Sequence, residues 1–507
     1  MYVIGLDVGT TGCKAIVFDL DGNIKGYGFH EYEVICSKQG LAEQDAEKVW
    51  ELTKDVINKS IKEAKNKSNI DANDIKAISI SVQGDAVIPV DKNILPLYNA
   101  ILGMDYRTTN ESKFCSETFG DKSLFNLTGM RPHPMNSLTK ILWFKNNRYD
   151  IYENTYKFMT YADFILAKLG AEPVIDYTMA SRTMTFDLEN KEWSKSILKK
   201  LEIEEDKLSK VAASGEIVGT ISHDLAEKFG VSKKLLLVTG GHDQTCAALG
   251  AGAIKENIAV DSHGTAEVIS AAFNRPMLNE LMFNSYYPCY CHVKSDMYFT
   301  FALNHIGGIL LKWYRDVLGY AEVEEANKLG IDPYELMISK TSIGPSSVLV
   351  LPHFNGSGTP YCDMDSKGAF IGLTMATKRE DIVKGILDSL TYELKINIET
   401  MKRAGIKINE LRTVGGAAKS PIWLQIKADI TGCSVGTLKT REAACLGAAI
   451  LAARAAGGYS SLEEGVKKTV FLSKIYEPNV KMQSLYKEKF TIYKGVYDTI
   501  KNINKEL

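Results

Sequence analysis

The sequence predicts an α/β protein of two similar lobes facing one cleft, and three observations carry that prediction. The first is the opening stretch GLDVGTTGCK at residues 5–14. Short, branched, apolar runs flank it and read as strands, so its Gly-Thr-Thr-Gly turn is the tip of a β-hairpin and not the start of a helix. The second is a return of the pattern near residue 257. There Asn257-Ile-Ala-Val-Asp-Ser-His-Gly-Thr-Ala-Glu-Val-Ile-Ser again gives strand, Asp, Gly-Thr turn and strand. The third is length: 507 residues exceed one core, so two domains are expected, at 1–252 and 253–507.

The elements follow in chain order. Residues 47–64 have helical periodicity, and 75–82 (IKAISISV) form a buried-strand run. Residues 140–149 and 162–170 read as helices. Residues 235–238 are a further buried strand, running into Thr239-Gly240-Gly241. After the second hairpin, helices are expected at 307–318, 378–403 and 420–431. A strand at 411–414 leads into Gly415-Gly416-Ala417-Ala418-Lys419.

Composition excludes several function classes. Hydrophobic content of 45% and charged content of 24% are ordinary for a globular chain. A net charge of −2, with no dense Lys/Arg block, argues against a nucleic-acid partner. No apolar run approaches the ~18 residues of a membrane span. The first residues lack a basic region and a cleavage site, so no secretory leader is expected. Nine scattered cysteines without a C-x-x-C fit reduced thiols in a cytoplasmic protein. Cys289 and Cys291 share a strand face and read as packing residues.

Four short segments can carry chemistry. Asp7 with Thr10, Thr11, Gly12 and Lys14 offers turn amides, hydroxyl donors and a cation to a phosphate. Gly264 and Thr265 repeat that chemistry in the second hairpin. An empty Gly-Thr turn has the same spelling, but two of them opening two lobes could clasp a polyphosphate from opposite sides. Gly416 and Ser420 lie between a strand and a helix, where small residues let a flat ring approach the backbone. Asp243, in Gly240-Gly241-His242-Asp243-Gln244, follows the carboxyl end of an apolar strand, where open α/β sheets bind ligands. A carboxylate there can be a general base or a helix N-cap. His242 and His263 lack the paired spacing of a metal site. No Gly is followed by Lys, so a P-loop is excluded.

Longer stretches identify a family. Met135-Asn-Ser137-Leu-Thr-Lys140-Ile-Leu-Trp143-Phe-Lys-Asn-Asn147 is similar to the first signature of the FGGY carbohydrate kinases at each specified position. Gly368-Ala-Phe-Ile-Gly372-Leu373 with the following helix is similar to the second, with Gly385 where Ala or Ser is usual. Residues 177–187, 351–360 and 446–452 are also family-like, so the resemblance spans the chain. It implies two actin-like (ribonuclease H-like) lobes with nucleotide and sugar between them. It implies ATP with Mg²⁺, Asp243 as catalytic base, and Asp7 near the metal through water. Thr10, Thr11, Gly12 and Lys14 fall on the first phosphate motif, and Gly264 and Thr265 on the second. Gly308 and Lys312 fall on a nucleotide-contact segment, and Gly416 and Ser420 on the adenosine motif.

The resemblance also places the sugar. The family reads it with the segment spelled here Gln83-Gly84-Asp85, where xylulokinases usually have Gln-Met-His and glycerol kinases Gln-Arg-Glu. Asp85 can accept two hydroxyl bonds there, or be a solvated loop carboxylate. Asp105, Arg107, Met135 and Gln244 complete the expected substrate set. A ketose such as a pentulose is the leading substrate, with a polyol or aldonate as the alternative. A non-catalytic sugar sensor would have no need of Asp243. A homodimer is left open.

Overall fold

The computed structural model describes residues 1–506. Its first large sheet contains β1 (Tyr2–Val8), β2 (Gly12–Asp19), β3 (Ile24–Glu31), β4 (Ile75–Val82), β5 (Ile217–Thr220) and β6 (Leu236–His242), in the order β5-β6-β4-β1-β2-β3. Its second contains β7 (Asn257–His263), β8 (Glu267–Phe273), β9 (Tyr290–Cys291), β10 (Tyr298–Asn304), β11 (Ile408–Gly415), β12 (Ser434–Leu438) and β13 (Leu472–Tyr476), in the order β9-β10-β8-β7-β11-β12-β13.

The two sheets are copies. In the first, β1, β2 and β3 pair antiparallel, β1–β4 and β4–β6 pair parallel, and β5 closes the edge antiparallel. In the second, β7, β8 and β10 pair antiparallel, β7–β11 and β11–β12 pair parallel, and β13 closes the edge antiparallel. Strand β9 is an addition. The weak sequence echo between residues 7–10 and 261–265 marks corresponding hairpin tips.

Helices are set by local chemistry and placed by their apolar faces. Helix α1 (Ala46–Ser68) starts where Asp45 accepts from the Lys48 amide and ends at Asn69, whose φ is 51°. Val49, Trp50, Val56, Ile57 and Ile61 form its buried face. The helix expected over 140–149 is α2 (Ser137–Asn147); non-helical backbone at Arg148, φ −140° and ψ 59°, separates it from the next turn. Helix α3 (Tyr161–Leu169) begins with a Thr160–Asp163 capping box. Short α4 (Tyr177–Arg182) is capped by Asp176. Helix α5 (Asp243–Gly250) follows β6 without a loop. Strand β6 is longer than expected because Gly240 presses on β4: a Cβ there would lie 1.5 Å from the Ile80 oxygen.

The second half adds α6 (Ile309–Val317), α7 (Arg379–Arg403), α8 (Pro421–Thr431) and α9 (Ala443–Ala455). Helix α9 packs on the first sheet, not its own. Cys445, Leu446, Ala449 and Ile450 join Val3, Ile16, Ala77 and Val238 in one core cluster. Gly447 and Gly250 let α9 and α5 touch, since a Cβ on either would lie 1.9 Å from the other helix's backbone oxygen. A division near residue 252 therefore separates the sheets but not this packing. Among the described residues, no helix is long and apolar enough to cross a membrane.

Candidate active site

The first hairpin tip is braced from below. Tyr32 Oη donates to the Gly9 oxygen and Gln44 Nε2 to the Thr10 oxygen, each at 2.6 Å. Gln83 belongs to the same brace. It accepts from Thr10 Oγ1 at 3.1 Å and donates to Gln44 Oε1 at 2.9 Å and the Gly9 oxygen at 3.3 Å. Gln83, expected at the sugar, is buried, and both ends of its amide are bonded to the first hairpin tip and Gln44. Thr11 is exposed at the tip and Gly12 opens β2. Lys14 pairs with Glu442, joining the hairpin to the segment before α9.

Asp7 on β1 and Asp261 on β7 occupy equivalent places and differ in charge balance. Ser81 Oγ on β4 donates to Asp7 at 2.7 Å, and Thr413 Oγ1 on β11 donates to Asp261 at 3.0 Å. Asp261 is neutralised by buried Lys427, which also lies 2.7 Å from Glu267 Oε1. Burial pushes the Glu267 carboxyl up, but Lys427 and His263 outweigh it and hold it well below its ordinary range. Asp261, His263 and Glu267 have the spacing of a metal site, but the ammonium of Lys427 stands among them. Among the described residues Asp7 has no bonded cation; burial raises its pKa, opposed by the Ser81 bond and the more distant Lys14 charge.

Asp243 is the first residue of α5, and its Oδ1 is buried without a hydrogen-bond partner among the described residues. It does not cap the helix. His242 Nε2 approaches Oδ1 at 3.2 Å without hydrogen-bond geometry. Burial, and then the nearby Asp7 charge, push the Asp243 carboxyl up to about 7. Burial and the Arg182 charge drive His242 well down, so it is neutral. A half-exposed carboxylate poised near neutral pH suits proton abstraction. Gln244 follows it, half-buried.

A cavity of about 860 Å³ opens beside the second hairpin, lined by Gly264, Gly308, Leu311, Tyr334, Gly416 and Ser420 among others. Four expected nucleotide residues thus share one wall. Gly308 N donates to the Gly264 oxygen at 2.9 Å and Gly307 N to the Thr265 oxygen at 2.8 Å, fixing the tip against the start of α6. A Cβ at Gly264 would meet no described atom within 4 Å, so the protein's own packing does not demand glycine there. The space is what a close ligand needs. Ser420 caps α8, accepting from the Trp423 amide at 3.3 Å. Lys312 does not line this cavity; its exposed ammonium lies 3.7 Å from Asp316.

The stretch expected to read the sugar is wired into the protein itself. Asp85 is not solvated. It is 3% exposed, in left-handed backbone at φ 68°, and its two oxygens accept from Arg182 Nε at 3.1 Å and Nη2 at 2.5 Å. Asp105, fully buried, and Arg107 bind one another, with Arg107 also bonded to Glu43 and Asp105 to the Ala42 amide at 2.6 Å. That geometry is a loop clasp. The Met135 carbonyl accepts from buried Lys140 at 2.6 Å. Burial, opposed by Asp85 and Asp105, lowers Lys140 to about 8. Arg182 and Lys427 escaped the sequence reading because their partners lie 97 and 166 residues away.

Duplicated lobes with paired hairpins give the two-lobed, actin-like class of fold, with a cavity of about 860 Å³ beside the second hairpin. Comparison with known proteins narrows the class. Residues 2–250 match the FGGY family of carbohydrate kinases, N-terminal domain, and residues 259–456 match its C-terminal domain. A xylulose kinase of Bacillus subtilis is 29% identical, with 100% of this chain and 98% of that protein covered. A glycerol kinase of Saccharolobus islandicus is 33% identical, with 91% and 90% covered. The structure of a ligand-bound xylulose kinase from Lactobacillus acidophilus matches with a TM-score of 0.88 at 24% identity over 98% of each chain. The chain belongs to the FGGY family of carbohydrate kinases.

Proposed function

We propose that this kinase transfers the terminal phosphoryl group of ATP to a hydroxyl of a small neutral sugar, with a ketose such as a pentulose as the leading substrate. The observation that carries the reading is Asp243, half-buried at the start of α5, whose Oδ1 is buried without a hydrogen-bond partner among the described residues. Phosphoryl transfer needs alignment and charge neutralisation more than covalent help. The turn at Thr10, Thr11 and Gly12 would hold the phosphates from one side, and Gly264 and Thr265 from the other. Gly416 and Ser420 would bracket the adenosine. Asp7, which forms no ion pair among the described residues and feels the Lys14 charge only at a distance, suits Mg²⁺ held through water; the bound ion would offset phosphate charge. Asp243 takes the hydroxyl proton. The full-length xylulose kinase likeness supports a ketose, and the glycerol kinase likeness keeps polyols in the test. An aldonate fits less well, because Arg182 and Arg107 already hold carboxylate partners. Nine free cysteines support a reducing, cytoplasmic setting.

Two measurements bear on these roles. Because Asp243 works only when deprotonated, sugar kcat/KM should fall about tenfold per unit as pH drops below about 7 and level off above it. A profile flat from pH 5 to 8, checked at saturating ATP, would remove Asp243 as the titrating base. Thr265→Val deletes one hydroxyl donor at constant shape, so ATP binding should weaken by about 1.5–3 kcal/mol while sugar affinity holds. Calorimetry showing unchanged ATP affinity would take Thr265 out of the site.

A further inference from the structure

The sugar segment contains a charge that its own three residues do not supply. Gly84 has no side chain, and the space is filled from elsewhere. A Cβ at Gly84 would sit 2.9 Å from Arg182 Nε and 2.9 Å from His242 Nε2. The guanidinium at the end of α4 thus fills the space that a side chain at 84 would enter. It is 3% exposed and lies over the rings of Tyr290 and Phe301, at 5.2 and 5.7 Å, which belong to the second lobe. Asp85 grips two of its nitrogens side-on. The third, Nη1, is buried without a partner among the described residues.

An unpartnered buried donor is costly, and charge makes it more so. Asp243 Oδ1 is the matching orphan: a buried acceptor beside the same His242. One donor and one acceptor, both unsatisfied and on residues that flank His242, are what a polyhydroxy ligand completes. We propose that Arg182 is a sugar-contacting, specificity-determining residue, whose Nη1 donates to a carbonyl or hydroxyl oxygen next to the hydroxyl that Asp243 deprotonates. Asp85 then acts through Arg182: it orients the fork and cancels its charge. With that charge cancelled and Asp243 close by, the subsite takes a neutral oxygen rather than a carboxylate. This rests on the phosphotransfer reading above.

The test compares wild type, Arg182→Lys and the charge-balanced pair Arg182→Gln with Asp85→Asn. Lys keeps the charge facing Asp85 and loses the second arm, and the pair removes both charges together if the single variant unfolds. Each protein, first checked by thermal melting, is assayed for ADP release with the best wild-type sugar and its singly deoxygenated analogues. Sugar kcat/KM should fall ~10- to 100-fold in both variants, with ATP KM within about twofold. One analogue should be penalised in wild type and not in the variants, which locates the oxygen that Nη1 meets. Equal penalties for every analogue in wild type and a folded variant would make Arg182 a brace of the 84–85 loop only, and overturn the proposal. A wild type that turns over no sugar at all would overturn the phosphotransfer reading and this subsite with it.

Discussion

Asp243→Asn should abolish phosphoryl transfer while leaving ATP binding nearly intact. The substitution keeps the shape at the start of α5 and removes the capacity to take a proton. A positioned base contributes roughly 10²–10⁴-fold, so kcat should fall by about that factor. The pKa supports the size of the effect. A carboxyl pushed up to about 7 is near its optimum for proton transfer at neutral pH. The check is coupled ADP release at saturating sugar, with ATP affinity measured separately by calorimetry. A variant keeping more than about a tenth of wild-type kcat would exclude Asp243 as the base.

The largest stability effect should come from Lys427→Met. Its ammonium is the shared counter-ion of Asp261 and Glu267, whose side chains are fully or almost fully buried. Removing one member of a buried ionic cluster leaves uncompensated charge, typically about 3–5 kcal/mol. The loss should be read by urea unfolding, and most of it should return when Asp261→Asn and Glu267→Gln accompany the change. That recovery separates uncompensated charge from lost packing. A single variant less than about 1 kcal/mol below wild type would mean that the cluster is not ionic as drawn. His263 stacks edge-on against Trp423 at 4.4 Å and lines the cavity proposed for the nucleotide, so ATP affinity should fall with stability.

Local features of the fold were legible in the sequence. Both hairpins could be read because turn residues and strand runs are adjacent in the chain. Asp243 could be read because an apolar strand ends beside it. The duplicated topology was foreshadowed by a few residues at each tip, and the strand order then showed how far the copy extends. Long-range pairing was not legible. Asp85 and Gln83 stand where the family reads sugar, yet one is bound by Arg182 from α4 and the other by the first hairpin and Gln44. Spelling alone cannot distinguish a carboxylate facing solvent from one gripped by an arginine 97 residues away. Helix α9 shows the same limit. Its Ala-rich surface is buried nearly all round, so no polar face tells which sheet it covers.

The central claim is that this chain phosphorylates a neutral sugar at a hydroxyl deprotonated by Asp243. The most direct measurement is ADP release by the wild-type protein with Mg-ATP over a panel of ketoses, polyols and aldonates, with phosphorus NMR of the products. The account predicts release that depends on sugar, is strongest for a ketose, yields a new sugar monophosphate and vanishes in Asp243→Asn. Release that is no greater with any sugar than without, or that persists undiminished in Asp243→Asn, would contradict it.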